Sequence, residues 1–231
     1  MTDTETQPMS EPIAGVILAG GLARRMGGGD KTLKPLHGRP ILSFIIDRLR
    51  PQVDGLVLNA NGDPARFAEF GLPVVADTIG DHAGPLAGIL SGMRWAEKAV
   101  PEAHFIASVA GDTPFFPADL VAHLAEGCGR DEKTIALAAS ANGVHPVFGL
   151  WPIGLADELE AFLDSGVSGK ILTFADRYFR LNVPFDHLDM KGEEVDPFFN
   201  INTPEDAERA EMVARFLGQD AESPASGDAR E

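Results

Sequence analysis

The chain has 231 residues, 44% of them hydrophobic, and carries 35 acidic against 19 basic side chains for a formal charge of −16. That length supports one sizeable core, and the charge excludes nucleic acid as a general partner, because no basic surplus exists to displace counterions. A single cysteine, Cys128, excludes an internal disulfide and a cysteine-built metal cluster, reads as a small buried residue and is consistent with a reducing cytoplasm.

Residues 1–12, "MTDTETQPMSEP", are polar and acidic and read as a flexible leader without the basic-then-apolar order of a signal peptide. The apolar stretch from Ile13 to Ala23 is broken by glycines and too short to span a bilayer. "IAGVIL" reads as a buried strand, and "PILSFIIDRLR" as a helix opened by Pro40. "GLVLNA" is a second strand, "PARFAEF" a short helix, "LPVVAD" a third strand, and "GPLAGILSGMRWAEKA" a helix opened by Pro85. "HFIASVAGD" is a fourth strand ending at Asp112, followed by the helix "PADLVAHLAEG". Beyond residue 130 the pattern loosens. "KTIALAAS" and "HPVFGLW" read as strands, "GLADELEAFLDSG" and "GKILTFADRY" as helices, and "TPEDAERAEMVARFLG" as a terminal helix capped by Thr203. Residues 218–231 read as a disordered acidic tail. Strands alternating with helices predict an α/β fold, with a mainly parallel central sheet flanked by helices over residues 13–217.

In open α/β sheets, ligands bind beyond the carboxyl ends of the strands. Three strands end there in polar punctuation: the loop "LAGGLARRMGGGDK", "NAN" at Asn59–Asn61, and "GD" at Gly111–Asp112. The loop is not a Walker motif, because Asp30 separates Gly29 from Lys31, and Thr32 stands where a dinucleotide fingerprint needs its third glycine. Its five glycines can still aim backbone amides inward as an anion nest, and Arg24, Arg25, Lys31 and Lys34 supply local cations, so a polyphosphate fits. The alternative is a solvated turn. Asp112 is either a magnesium ligand beside that nest or a turn aspartate. Asn200 and Asn202 of "NIN" offer neutral oxygens or lead into the Thr203 cap, and Asp77 either accepts from a guanine edge or holds a turn. The histidines show no metal spacing, and His145 reads as a surface or turn residue. Trp95 and Trp151 read as packing groups.

Together "LAGGLARRMGGGDK", "PLHGRPIL", "LVLNAN", "ADTIGDHAGPLAGI", "AGDTPFFP", "HPVFGLW" and "FFNINTPED" resemble, in order, the motifs of the molybdenum cofactor guanylyltransferases. The resemblance spans about residues 13 to 215. It implies a Rossmann-like nucleotidyltransferase fold and a cytoplasmic enzyme that uses GTP and magnesium. The reaction it implies joins GMP to the phosphate of molybdenum-molybdopterin, releasing pyrophosphate. It implies that Leu18, Ala19 and Gly20 contact GTP through the backbone, with Gly21 shaping the turn. Arg25 and Lys31 would hold the triphosphate, Asn59 and Asp77 would contact base and ribose, and Gly84 to Gly88 would form an adjacent wall. Asp112 would bind metal and nucleotide, Asn200 and Asn202 would line the acceptor-phosphate region, and Lys170 falls near a basic position that could meet the pterin phosphate. Transient contact with molybdoenzyme apoproteins or delivery chaperones is also implied, with no membrane partner.

Two departures from the commonest pattern, Ala110–Gly111 before the aspartate and Val147 after His-Pro, fall near the acceptor side. Two rival readings remain: a cytidylyltransferase for the same cofactor, which Gly20 and Asp30 disfavour, and a non-catalytic GTP-binding adaptor. Because an acceptor phosphate is already ionised at neutral pH, no catalytic histidine is expected.

Overall fold

In the computed structural model, which describes residues 11–20, 30–79, 84–166 and 170–222, β1 (Ile13–Leu18) lies inside a seven-stranded sheet. Its sequence holds no polar side chain because both faces are covered. Ile13 and Ile17 pack into one core, Ala14 and Val16 into the other, as the two-residue period of a strand requires.

The remaining sheet strands are β4 (Gly55–Asn59), β5 (Val74–Val75), β6 (Phe105–Ala110), β7 (Thr134–Ser140), β8 (Gly143–Pro152) and β9 (Phe179–Pro184), in the order β5-β4-β1-β6-β8-β7-β9. The small hairpin β2 (Pro35–Leu36) with β3 (Arg39–Pro40), and a second hairpin of β10 (Leu188–Met190) with β11 (Glu193–Val195), stand outside it. Helices α1 (Ile41–Leu49), α3 (Leu120–Cys128) and α6 (Pro204–Glu222) cover one face, and α2 (Pro85–Ala99), α4 (Ala156–Asp164) and α5 (Ile171–Ala175) cover the other. Trp151 is fully buried and donates through Nε1 to Ser108, so it is a packing residue, and Cys128 is buried.

The mainly parallel sheet agrees with the sequence reading, with β8 alone running against its neighbours. The cause is local. Only Ala141 and Asn142 separate β7 from β8, and so tight a link joins antiparallel strands. Elsewhere boundaries differ. "PARFAEF" forms a 3-10 helix rather than an α-helix, "LPVVAD" contributes only two sheet residues, and the helix in "GKILTFADRY" is confined to Ile171–Ala175. The terminal helix continues to Glu222, beyond its expected end at Gly218. Most of the leader and the end of the tail lie outside the described residues.

Register places the site. Leu18 is paired with Asn59 on one side and with Ala110 on the other, so the ends of β1, β4 and β6 stand in one row.

Candidate active site

Beyond that row the chain continues by backbone hydrogen bonds. Ala19 N donates to Asn59 O at 2.8 Å, and Gly111 N donates to Leu18 O at 2.9 Å. These bonds carry the strand alignment one residue further, with Gly20 left exposed. Gly111 is required by the closeness of that approach: a Cβ there would lie 2.8 Å from both Leu18 O and Thr32 Cγ2. The next residue, Asp112, therefore emerges directly against the turn that carries Lys31.

Asp30 builds that turn. Its Oδ1 accepts from Thr32 N and Thr32 Oγ1, capping the 3-10 helix Lys31–Leu33, and its Oδ2 pairs with Arg66 Nε at 3.0 Å. The residue that breaks the Walker pattern is thus the cap that aims Lys31. The Lys31 ammonium donates to Asp112 Oδ2 at 2.7 Å and to Asn202 Oδ1, on a side chain only 9% exposed. Thr113 Oγ1 lies 2.7 Å from Asn200 Oδ1 and 3.1 Å from Asp112 Oδ1, so one proton is shared between two acceptors. Ile201 N donates to Asp112 O, fastening the "NIN" segment to the end of β6.

Asn202 and Thr203 donate their backbone amides to Asp206 Oδ2 at 2.8 and 2.9 Å, while Asp206 N donates to Thr203 Oγ1. This is a capping box at the start of α6, with the expected Thr203 cap. Burial pushes the Asp206 carboxyl up, but these donors and the Lys31 charge more than offset it and hold it below the ordinary carboxylate value.

A second polar group lies at the end of β4. Asn59 Nδ2 donates to Asp77 Oδ1 at 2.9 Å, Asn61 Nδ2 donates to Asp77 Oδ2 at 2.8 Å, and Asp77 N donates to Asn61 Oδ1. Gly84 precedes α2 as its N-cap, and Gly88 faces Asn59: a Cβ there would collide with Asn59 Oδ1 and come within 2.9 Å of Leu18 Cδ2.

Of the residues expected from sequence, Lys31, Asp112, Asn200 and Asn202 form one hydrogen-bonded unit with Thr113. Asn59 and Asp77 form another, with Gly88 packed close against Asn59, and Leu18 and Ala19 link the two. Gly21, Arg24 and Arg25 lie outside the described residues. Lys170 stands just before α5, in the layer shared with α2 and α4. Arg66, Thr113, Asp206 and Asp196 were not singled out from sequence. His145, expected as a surface or turn residue, lies within β8, with a side chain 18% exposed and stacked on Phe198 with ring centroids 4.5 Å apart.

Among the described residues no group of three or more His, Cys, Asp or Glu could hold a metal by itself. The unit offers one carboxylate and neutral amide oxygens beside an ammonium. Such hard, sparse donors suit a cation that takes its other ligands from phosphates. No described helix is long and apolar enough to cross a membrane.

The family model described as the MobA-like NTP transferase domain matches residues 15–178. The molybdenum cofactor guanylyltransferase of Bradyrhizobium sp. (strain ORS 278) is 47% identical over 216 residues, covering 94% of this chain and all of that protein. Molybdopterin-guanine dinucleotide biosynthesis protein A from Archaeoglobus fulgidus has the same fold, with a TM-score of 0.64 at 22% identity over 87% of this chain and 98% of that one. A Mycobacterium tuberculosis protein solved as a complex with manganese superimposes with a TM-score of 0.63 at 22% identity, over 88% of this chain and all of that one.

Proposed function

The chain belongs to the MobA-like NTP transferase family, and from that membership and the site geometry we propose that it transfers GMP from GTP to the terminal phosphate of molybdenum-loaded molybdopterin. It is a nucleotidyltransferase. The products are the guanine dinucleotide cofactor and pyrophosphate. Residues 13–217 act as one nucleotidyltransferase domain, in the cytoplasm. The observation that supports the reading most directly is the Lys31 ammonium bridging Asp112 and Asn202 at the carboxyl end of the sheet.

An oxygen of the acceptor phosphate bonds to the α-phosphorus of GTP as the bond from that phosphorus to the β-phosphate oxygen breaks. The pyrophosphate leaves with the electron pair, and no proton has to be removed. The barrier is chiefly electrostatic and positional, because anion approaches anion. Lys31 supplies a fixed charge to the triphosphate. Asn59 and Asp77 bind the guanosine end, with Asp77 accepting from the guanine edge and the glycine wall letting the nucleotide approach α2. Asn200 and Asn202 hold the acceptor phosphate, oriented by Thr113 and the Asp206 cap.

Asp112, with the amide oxygens beside it, would hold magnesium, whose chemistry there is neutralisation of phosphate charge. The manganese complex of the tuberculosis protein supports a divalent ion at this fold. Delivery of the product to apoenzymes or chaperones follows from the nature of the cofactor.

Pyrophosphate release with molybdenum-loaded molybdopterin, magnesium and GTP or CTP tests the reading, with Asp112→Ala alongside. GTP-dependent release that Asp112→Ala abolishes is expected. A preference for CTP would assign the sister cytidylyl transfer, and GTP binding without release would assign an adaptor.

A further inference from the structure

Beside Asn200 and Asn202 an open cavity of about 630 Å³ is lined by Asn142, His145, His187, Asp196, Phe198 and Arg209, among others. Neither Asn59 nor Asp77 borders it, so it is separate from the guanosine end. Its chemistry differs as well. Arg209 is the sole lysine or arginine among its described lining residues, whereas Glu194, Asp196 and Asp206 are all acceptors. A cavity of that composition is not a second phosphate cradle. It calls for a ligand rich in N–H donors.

The hydrogen bonds fix the state of His145. Asp196 is buried, and although burial pushes its carboxyl up, Phe198 N, Asn142 Nδ2 and the Ser140 hydroxyl hold it below the ordinary value, so it is ionised and can only accept. The one proton of Ser140 Oγ therefore goes to Asp196 Oδ2, 2.9 Å away. Ser140 Oγ then accepts from His145 Nε2, 2.8 Å away, which makes Nε2 the protonated nitrogen. Burial holds the ring in its neutral form. Nδ1 is left as a bare acceptor, with no hydrogen bond to any described residue. The Phe198 stack and the Ser140 bond fix the ring plane.

We propose that His145 is an acceptor-recognition residue, whose Nδ1 takes an N–H from a flat, nitrogen-rich ring system seated in this cavity with its phosphate toward Asn200 and Asn202. The assignment rests on the guanylyl-transfer reading, whose acceptor joins a pterin ring to a phosphate. His145 takes no proton in the reaction. It sets affinity for the acceptor, and Asp196 positions it through Ser140.

The test uses His145→Phe, His145→Gln and His145→Asn in the full chain, at saturating GTP and varied molybdenum-loaded molybdopterin. Phe keeps a stacking ring and Gln keeps a donor for Ser140, but both lose the Nδ1 acceptor. Losing one hydrogen bond of this kind should raise the acceptor KM about 10-fold, with kcat at saturation and the KM for GTP unchanged. Asn, whose Oδ1 can stand where Nδ1 was, should restore most of the loss. An unchanged acceptor KM in Phe and Gln, or an equal rise in the KM for GTP, overturns the proposal. So does an Asn variant as impaired as Phe.

A measurement on the wild-type protein needs no variant to fold. With ¹⁵N-labelled imidazoles, the His145 Nδ1 resonance should start in the unprotonated range and move upfield when 6-hydroxymethylpterin is added. A protonated Nδ1, or no movement at saturating pterin, overturns the proposal. Wild-type turnover reports the underlying reading separately: absence of GTP-dependent transfer defeats that reading, whereas transfer with indifferent His145 variants defeats only this assignment.

Discussion

Lys31 Nζ lies 2.7 Å from Asp112 Oδ2, joining residues 81 positions apart in the chain. The two side chains are 9% and 24% exposed, so neither charge is fully compensated by water. The pair holds the turn after the glycine loop against the end of β6.

Lys31→Met removes the charge but keeps the length of the stem. Loss of one preorganised charge aimed at a reacting phosphate should lower kcat/KM for GTP by about 100-fold or more. Lys31→Arg should recover little of that, because a planar fork does not fit the space of a compact ammonium held between Asp112 and Asn202. Steady-state kinetics under saturating acceptor checks both, and near-wild-type kcat/KM in the Met variant would remove Lys31 from the mechanism.

Gly88→Ala tests the guanosine side. The added Cβ would collide with Asn59 Oδ1, so Asn59 must leave Asp77 or α2 must shift. Overpacking of this kind costs about 1–3 kcal/mol of stability. The KM for GTP should rise while the acceptor KM stays unchanged, as read by urea unfolding and kinetics on the same sample.

Asp206→Ala removes the acceptor of the Asn202 and Thr203 amides. The lost cap should cost about 1 kcal/mol in unfolding free energy. Because Asn202 is held by that cap, the acceptor KM should also rise. A loss of stability with unaltered acceptor kinetics would separate the cap from the site.

Stability should fall with acid in two steps. His145 is pushed below its ordinary value of 6.5 by burial, with His187 adding to the push and Asp196 opposing it. The unfolded chain therefore binds this proton first, and stability drops as pH falls from about 6.5 toward the lowered value. Asp196 and Asp206 are held below their ordinary value of 3.8, so their contribution is full above that value and is lost as pH falls through the folded ones. Urea midpoints from pH 8 to pH 3 should show both steps, and His145→Asn should remove the upper one.

Much of this was legible in the sequence. The apolar run "IAGVIL" can be satisfied only by a strand covered on both faces, and the polar residues that follow each parallel strand mark the carboxyl edge. Lys31, Asp112 and Asn202 stand out because their motifs interrupt apolar segments. Their mutual pairing is not legible, because contacts over such separations leave no period in the chain. Arg66 is not legible inside a helical segment, although its partner Asp30 stands out as the residue that breaks the Walker pattern. His145 reads as a surface or turn residue because a half-buried strand position beside a turn has no distinctive spacing. One signal for the reversed strand was present: Ala141-Asn142, followed by Gly143, leaves only a tight link between two apolar runs, and so short a link joins antiparallel strands.

The most direct test of the central claim is mass analysis of the nucleotide products after incubating the protein with molybdenum-loaded molybdopterin, magnesium and an equal mixture of GTP and CTP. A guanine dinucleotide product matched one for one by pyrophosphate is expected, with little cytosine product and none of either when Asp112 is replaced by Ala. A predominantly cytosine product, or pyrophosphate formed at the same rate without the acceptor, would contradict the claim.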